Sequence, residues 1–371
     1  MANNNKHTGP NVPALRFPEF SGEWTKIKLR DLGSFFSGGT PSSSRKDYYG
    51  GEIPFIRSGE LHSDSTALSI TKEAYDSCSA KMVNKGDLLL ALYGATSGDI
   101  SISRICGAIN QAILCIRPQY MDAYFIKSLW EKHKKHILET YLQGGQGNLS
   151  SEIIKNISFF FPNSDEQVKI SRLIHFIDDR IETQSKIIEE QETLLKSLAD
   201  SLISSQVANM ALNDCVVARS SAMKESELEN SGPFPVFGAS GLCGYSNEAL
   251  QESDSILVTK DGSGVGTCQY ATGAHSFLGT LCSLTAKEGV YLPYVYYALL
   301  NFNFASFKTG LAIPHIYFKD YGKAVIYCPS YDEQVRIASG LEKIEAKIKS
   351  DKELLKQYQL QKEYLLFRMF I

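Results

Sequence analysis

Three amides stand close together in the stretch Gln143, Gly144, Gly145, Gln146, Gly147, Asn148. Asn and Gln side chains donate and accept at once, so they can pair bidentately with adenine in a groove. Glycines leave the loop that carries them free to adopt tight backbone turns. Arg57 and Ser58 follow the apolar run IPFI, and an arginine placed there can pair with guanine. Tyr93 heads the small-residue stretch YGATSG, and His315, Tyr317 and Lys319 stand in a later loop, GLAIPHIYFK. Arg45, Lys46, Lys260 and Lys308 are candidates for phosphate contacts, which position a protein without specifying sequence. Each residue also has a plainer role open to it: the amides can form turns or caps, and the cations can be solvated surface. The run Lys132, Lys134, Lys135 reads as a solvated helix face.

Other chemistries find no footing. The glycine-rich DGSGVG (261–266) is not a phosphate-binding G-x-x-x-x-G-K-[ST], and no dinucleotide fingerprint follows a strand; it reads as a tight turn. The eight cysteines form no C-x-x-C pair and no zinc spacing with histidine, so no metal site is expected and reduced thiols are. No Asn-Pro-Pro-Tyr stretch, helicase nucleotide motif or nuclease carboxylate–lysine cluster is present, and the histidines lack a nucleophile context. The expectation is a chain that performs no chemistry, so catalytic residues are none. The net charge of -3 excludes a polycation, and any nucleic-acid binding rests on local clustering. Residues 20–162 hold 16 Lys and Arg against 14 acids, and residues 209–329 hold 7 against 10. The N-terminus lacks an apolar signal region and the apolar runs are too short to span a bilayer, so the chain reads as cytoplasmic.

The elements that must hold these residues are written twice. PNSDEQVKI at 162–170 returns as PSYDEQVRI at 329–337, an offset of 167. Each copy opens a Pro-free, Gly-poor run rich in Glu, Lys, Ile and Leu. Ser164 with Gln167, and Ser330 with Glu333, predict capping boxes. Ile170, Ile174, Ile177, Ile181, Ile188, Leu195, Leu198 and Leu202, with Gln184 and Gln191 as polar interruptions, alternate steps of four and three. Adding 167 gives Ile337, Leu341, Ile344, Ile348, Asp351, Leu355, Tyr358, Lys362, Leu365 and Met369 for the ten positions. Two helices of about 40 residues, roughly 60 Å each at 1.5 Å per residue, are predicted to bury these seams against each other. A pseudo-twofold axis would make them antiparallel.

The globular parts repeat too. GDLLL and the YGATSG turn (93–98) map onto SDSIL and KDGSGV (260–265), and YFIKSLWEKH maps onto YLPYVYYALL as aromatic helices. EIPFIRSGEL near 52 matches PFPVFGASGL near 233. The predicted class is α+β: an arm (1–19), a mixed strand–helix domain (20–162), a long helix (163–208), a second domain (209–329) and a second long helix (330–371), with the helices as an intramolecular coiled coil.

This order of parts resembles the specificity subunit of type I restriction–modification systems. The residues that carry it are LRFPEFSGEWTKIKLRDLGSFFSGGTP, GDLLLALYGATSGDIS, PFPVFGASGLCGY, ILVTKDGSGVG, TGLAIPHIYFKDYGK and both PxxxDEQVxI joints. The second half offers only MALNDCVVARSSAMKESEL where the first has WTKIKLRDLG. The resemblance implies that each domain reads one half of a split site in double-stranded DNA. It implies that the paired helices set the spacing and dock two methyltransferase subunits, with nuclease and translocase subunits joining through the complex. S-adenosylmethionine, ATP and magnesium would then belong to the partner subunits, with no cofactor on this chain. Half-sites read from one face of DNA lie about 34–36 Å apart, within reach of such a ruler. The residues alone also admit a coiled-coil scaffold with two protein-binding modules, or a stand-alone DNA methyltransferase.

Overall fold

A computed structural model describes residues 11–141, 148–310 and 313–371. The chain divides into two compact units: Met1–Thr183 with Leu355–Ile371, and Gln184–Leu354. Each is mixed α/β, and the two share one strand plan.

In the first unit a two-stranded ribbon pairs Thr25–Lys28 with Ser158–Phe161. A four-stranded antiparallel sheet runs Gly33–Ser37, Ile113–Pro118, Leu88–Ala91, Ile100–Ile102. A smaller sheet, Ser69–Ile70, Tyr49–Ile56, Gly107–Ile109, Lys81–Val83, contains one parallel pair, Phe55 beside Ala108. The second unit repeats this plan. Its ribbon is Met210–Ala211 with Val325–Ile326. Its four-stranded sheet runs Val216–Ser220, Leu281–Ala286, Ser255–Thr259, Cys268–Ala271, and a smaller sheet places Val236 parallel to Ser276.

Burial explains why the central strand LLLA has no polar alternation. Leu88 and Leu90 face a core built with Phe125, Leu129 and Trp130 of the helix Ala123–Tyr141. Leu89 and Ala91 face a second core with Ile56, Val83 and Ile109. A strand covered on both faces reads as a continuous apolar run. SILVT in the second unit is buried at every position for the same reason.

The second unit does have a counterpart of WTKIKLRDLG, contrary to the sequence expectation. Leu29 N donates to Ile157 O at 2.9 Å, and Leu212 N donates to Ala324 O at 2.9 Å. Both leucines are fully buried between a ribbon strand and a sheet strand. The motif is lost but the fold step is kept, because a buried leucine and its amide are all this step requires.

The long helices run Ser164–Ala199 and Tyr331–Met369. Within the first unit Asp178 lies beside Lys362 and Arg180 beside Tyr358; within the second Gln191 lies beside Asp351 and Glu192 beside Lys352. As one number rises its partner falls over the first unit, which is antiparallel pairing. Ile170, Ile174, Ile177, Ile188, Leu195, Ile337, Leu341 and Ile348 are buried, and Ile181, Leu198, Ile344, Leu355, Tyr358 and Leu365 are half-buried. Leu202 is the exception at 41% exposure. The seam's polar layer sits on Asp351, 3% exposed, which accepts from Gln191 Nε2 at 2.9 Å and Lys347 Nζ at 2.6 Å. Those donors hold its carboxyl below the usual range.

The predicted capping box does not form at Ser164. Asn163 caps instead, its Oδ1 accepting from Glu166 N at 2.9 Å. Glu333 likewise turns to Arg336 at 2.5 Å rather than back to the helix start. The duplicated glutamine has another task. Gln167 Nε2 donates to Pro162 O at 2.9 Å and its Oε1 accepts from Asp122 N, just ahead of the aromatic helix. Gln334 Nε2 donates to Pro329 O at 2.9 Å and its Oε1 accepts from Tyr291 N at 2.8 Å, again just ahead of the aromatic helix. One side chain thus ties strand end, head helix and long helix together, and it does so twice. An acid about three turns further along repeats as well. Asp178 accepts from Lys127 Nζ at 3.0 Å and from the Tyr124 hydroxyl. Glu345, 167 residues on, accepts from Tyr296 at 3.2 Å and Tyr297 at 2.7 Å.

Candidate nucleic-acid interface

Both four-stranded sheets deliver their central strand into the same turn. Gly94 (φ 88°) and Gly98 (φ 80°) close it in the first unit, Gly262 (φ 92°) and Gly266 (φ 92°) in the second. Gly98 N donates to Ala91 O at 2.9 Å, and Gly266 N donates to Thr259 O at 2.8 Å. Positive φ demands glycine here. A Cβ on Gly266 would also meet Phe304 at 2.8 Å. The matching offset is 168 rather than the 167 expected from the joints. Leu92, not Tyr93, is therefore the counterpart of Lys260, and each donates its amide across the sheet, Leu92 to Ala112 O and Lys260 to Thr280 O.

A second loop is laced onto each turn. Leu149 N donates to Leu92 O at 2.8 Å, and Ile316 N donates to Lys260 O at 2.9 Å. Leu149 is 2% and Ile316 1% exposed, so both anchor their loops. Asn148 and His315, one residue earlier, occupy equivalent places beside the glycine turn; Asn148 is exposed and His315 half-buried. Gln143 and Gln146 lie outside the described residues.

In the second unit the candidates converge. The His315 and Tyr317 rings are 5.2 Å apart edge to face, and Lys319 Nζ stands 5.3 Å over the Tyr317 ring. Gly262 N donates to Pro314 O, and Thr309 exchanges backbone bonds with His315, which brings Lys308 to the same rim. Tyr317 is 48% exposed. Among the described residues no carboxylate lies within ion-pair distance of Lys260, Lys308 or Lys319. The result is an aromatic surface edged by unneutralised cations.

The first unit disposes its cations differently. Arg45 is held by Asp47 at 2.6 Å and Glu73 at 3.6 Å, with its guanidinium 4.2 Å over Tyr48. The hydrogen bonds from Arg45 hold the Asp47 carboxyl below its usual range. Arg57 grips Glu60 through Nε at 3.1 Å, and Ser58 opens the short turn between them. Lys46 is exposed. Arg45 and Arg57 stand at opposite ends of the strand Tyr49–Ile56, whose register slips between Tyr49 and Ile53, and each is engaged by its own carboxylates. Tyr93 packs against the main core. The run at 132–135 is not simply a solvated face. Lys132 donates to Phe370 O and Lys134 pairs with Asp99, while Lys135 stays exposed. Burial pushes the Lys132 ammonium down to about 8.

One contact gave no sequence signal. Arg16 reaches Glu166, the acid of the first DEQV, through Nε and Nη2 at 2.7 Å each. The Glu166 side chain is fully buried. A lone arginine in a polar segment has no periodicity to mark it; only the burial of its partner does.

Residues 21–193 and 205–359 match the model of the type I restriction modification DNA specificity domain. The MjaIX specificity subunit of Methanocaldococcus jannaschii is 28% identical over 48% of this chain, a match that spans 42% of that protein's length. The EcoprrI specificity subunit of Escherichia coli is 20% identical over 87% of each chain. A type I restriction–modification S subunit from M. genitalium superposes with a TM-score of 0.68 at 19% identity, over 97% of this chain and 99% of that one. No helix among the described residues is long and apolar enough to cross a membrane.

Proposed function

Because this chain belongs to the type I restriction modification DNA specificity family, we propose that it is the subunit that reads DNA sequence for a type I restriction–modification complex. Each unit's head reads one half of a bipartite site in double-stranded DNA. The long helices set the spacing between the halves and dock two methyltransferase subunits, and nuclease and translocase subunits join through that complex. The chain itself contributes recognition and no bond-making step, and it works in the cytoplasm, in keeping with its free cysteines.

The observation that carries this reading is the repetition of one strand plan, one glycine turn and one glutamine joint in a single chain. A reader of two unlike half-sites needs two heads of the same build with different surface residues. Phosphates are met by Lys260, Lys308 and Lys319 in the second head, and by Lys46 and Arg45 in the first. Bases are met by His315 and Tyr317 in the second, and by Asn148, Arg57 and Ser58 in the first, with Gln143 and Gln146 in the same loop as Asn148. Arg45 and Arg57 must exchange carboxylate partners for DNA, so they are weaker contributors than the free lysines. Tyr93 supports its turn from the core side.

Long-read methylation profiling of the host, with and without the gene, tests the reading. The expected result is a split adenine motif that vanishes on deletion. An unchanged methylome in a host that carries the methyltransferase would contradict it.

A further inference from the structure

The first unit's long-helix pair is covered on one side by the chain's own N-terminal segment. Arg16 enters the joint and bonds buried Glu166. Phe17 packs against the core that includes Ile170, Ile174 and Met369, and Lys169 Nζ stands 4.5 Å over its ring. Leu15 N donates to Arg368 O at 2.8 Å. Residues 15–17 thus form a strap of aliphatic, arginine and aromatic residues lying in a groove.

The offset of 167 places the same groove in the second unit. Glu166, Ile170, Ile174 and Ile177 become Glu333, Ile337, Leu341 and Ile344, and Leu365 and Met369 become Leu198 and Leu202. These six second-unit residues line an open groove of about 420 Å³. Among the described residues of the second unit, none lies over it as the strap does. Only residues 205–209 separate the end of the first long helix from the strand Met210–Ala211, whereas the first unit's ribbon strand is preceded by the whole segment from residue 11. The exposures record the difference. Met369 is 2% exposed and its counterpart Leu202 41%. The Glu166 side chain is 0% exposed and that of Glu333 34%, paired among the described residues with the local, 76% exposed Arg336.

We infer that the open groove of the second unit is a docking site for an extended segment of a partner protein that presents an arginine between an aliphatic and an aromatic residue. Glu333 takes the guanidinium, as Glu166 does, and Leu202 and Ile344 take the apolar neighbours. The groove is defined by internal repetition alone and stands whether or not the chain reads DNA.

The probe is a fluorescent peptide of residues 11–24, titrated into the full chain and followed by anisotropy. The native strap is covalently tethered, so its high effective concentration keeps the peptide out of the first groove. Saturable binding is expected. Glu333→Gln and, separately, Leu202→Glu in the protein should each weaken it about tenfold or more, as should Arg16→Ala in the peptide, since a charge-assisted bidentate pair is lost. Glu333 is half-exposed and Leu202 exposed, so both changes leave folding intact by circular dichroism. Absence of saturable binding at millimolar peptide, or binding indifferent to Glu333→Gln, overturns the inference. A dimer in sedimentation that Glu333→Gln dissolves overturns the assignment to a different protein and gives the groove to a second copy.

Discussion

The two units are built to one plan and finished differently. In the first, the joint acid Glu166 is buried under Arg16, and the arginines nearest the head surface are held by carboxylates. In the second, Glu333 is half-exposed beside Arg336, and Lys260, Lys308 and Lys319 have no acid partner among the described residues. Repetition therefore fixes the scaffold, while charge pairing is free to diverge. Near the head surface the first unit ties its arginines to carboxylates, whereas the second leaves three lysines without one among the described residues.

The largest expected effect breaks that comparison at the joints. Arg16→Ala strands a buried carboxylate, which costs about 3–5 kcal/mol. The equivalent pair is exposed, so Arg336→Ala leaves stability nearly unchanged. Both tryptophans, Trp24 and Trp130, lie in the first unit, so denaturant melts followed by tryptophan emission read Arg16→Ala, and far-ultraviolet circular dichroism reads Arg336→Ala in the second unit. Equal losses for the two substitutions would show that burial does not distinguish the joints.

A smaller effect tests what the joints share. Gln167→Ala and Gln334→Ala each leave a proline carbonyl, buried at Pro162 and half-buried at Pro329, and a helix-start amide without partners, at about 1–3 kcal/mol. The two costs should agree within about 0.5 kcal/mol, read by tryptophan emission for the first and far-ultraviolet circular dichroism for the second. A cost confined to one of them would mean that the repeated bonds are not equivalent.

The smallest effect is in acid. Arg117 holds the Asp87 carboxyl below its usual range against the opposing pull of burial, and Lys127 and Lys362 do the same for Asp178. A depressed carboxylate contributes stability above its unfolded value, near 4, and loses it as pH falls through the folded value. Asp351 is the second unit's depressed carboxylate. Tryptophan emission should therefore change at slightly higher pH than the tyrosine signal that includes the second unit. Coincident midpoints would remove this distinction.

Much of the scaffold was legible before any coordinates. The heptad steps marked the seam because a helix must bury a stripe, and the repeated PxxxDEQV marked the joints because two copies share one geometric problem. IPFI and FPVF, matched to each other in the sequence, are the strands that carry the parallel pairs, Phe55 with Ala108 and Val236 with Ser276, although the match itself gave no pairing. The start of the second head was illegible because Leu212 keeps the fold step through burial alone. The single-residue change of offset between joint and turn hid behind glycines that tolerate either alignment. The reason for Gln in DEQV was also hidden, since its partners Pro162 and Asp122 lie 5 and 45 residues away. Of the candidate surface, the second head's lysines and aromatic rings converge, whereas Arg45 and Arg57 are each held by carboxylates of their own loops.

The central claim is that two like heads read two half-sites independently, and single-molecule methylation sequencing tests it most directly. The host would carry the chain with Lys260→Ala, Tyr317→Ala and Lys319→Ala combined. The account predicts that one half of the split motif degenerates while the other half and the spacer stay as they were. Loss of both halves together from a folded protein, or a motif left unchanged, would contradict it.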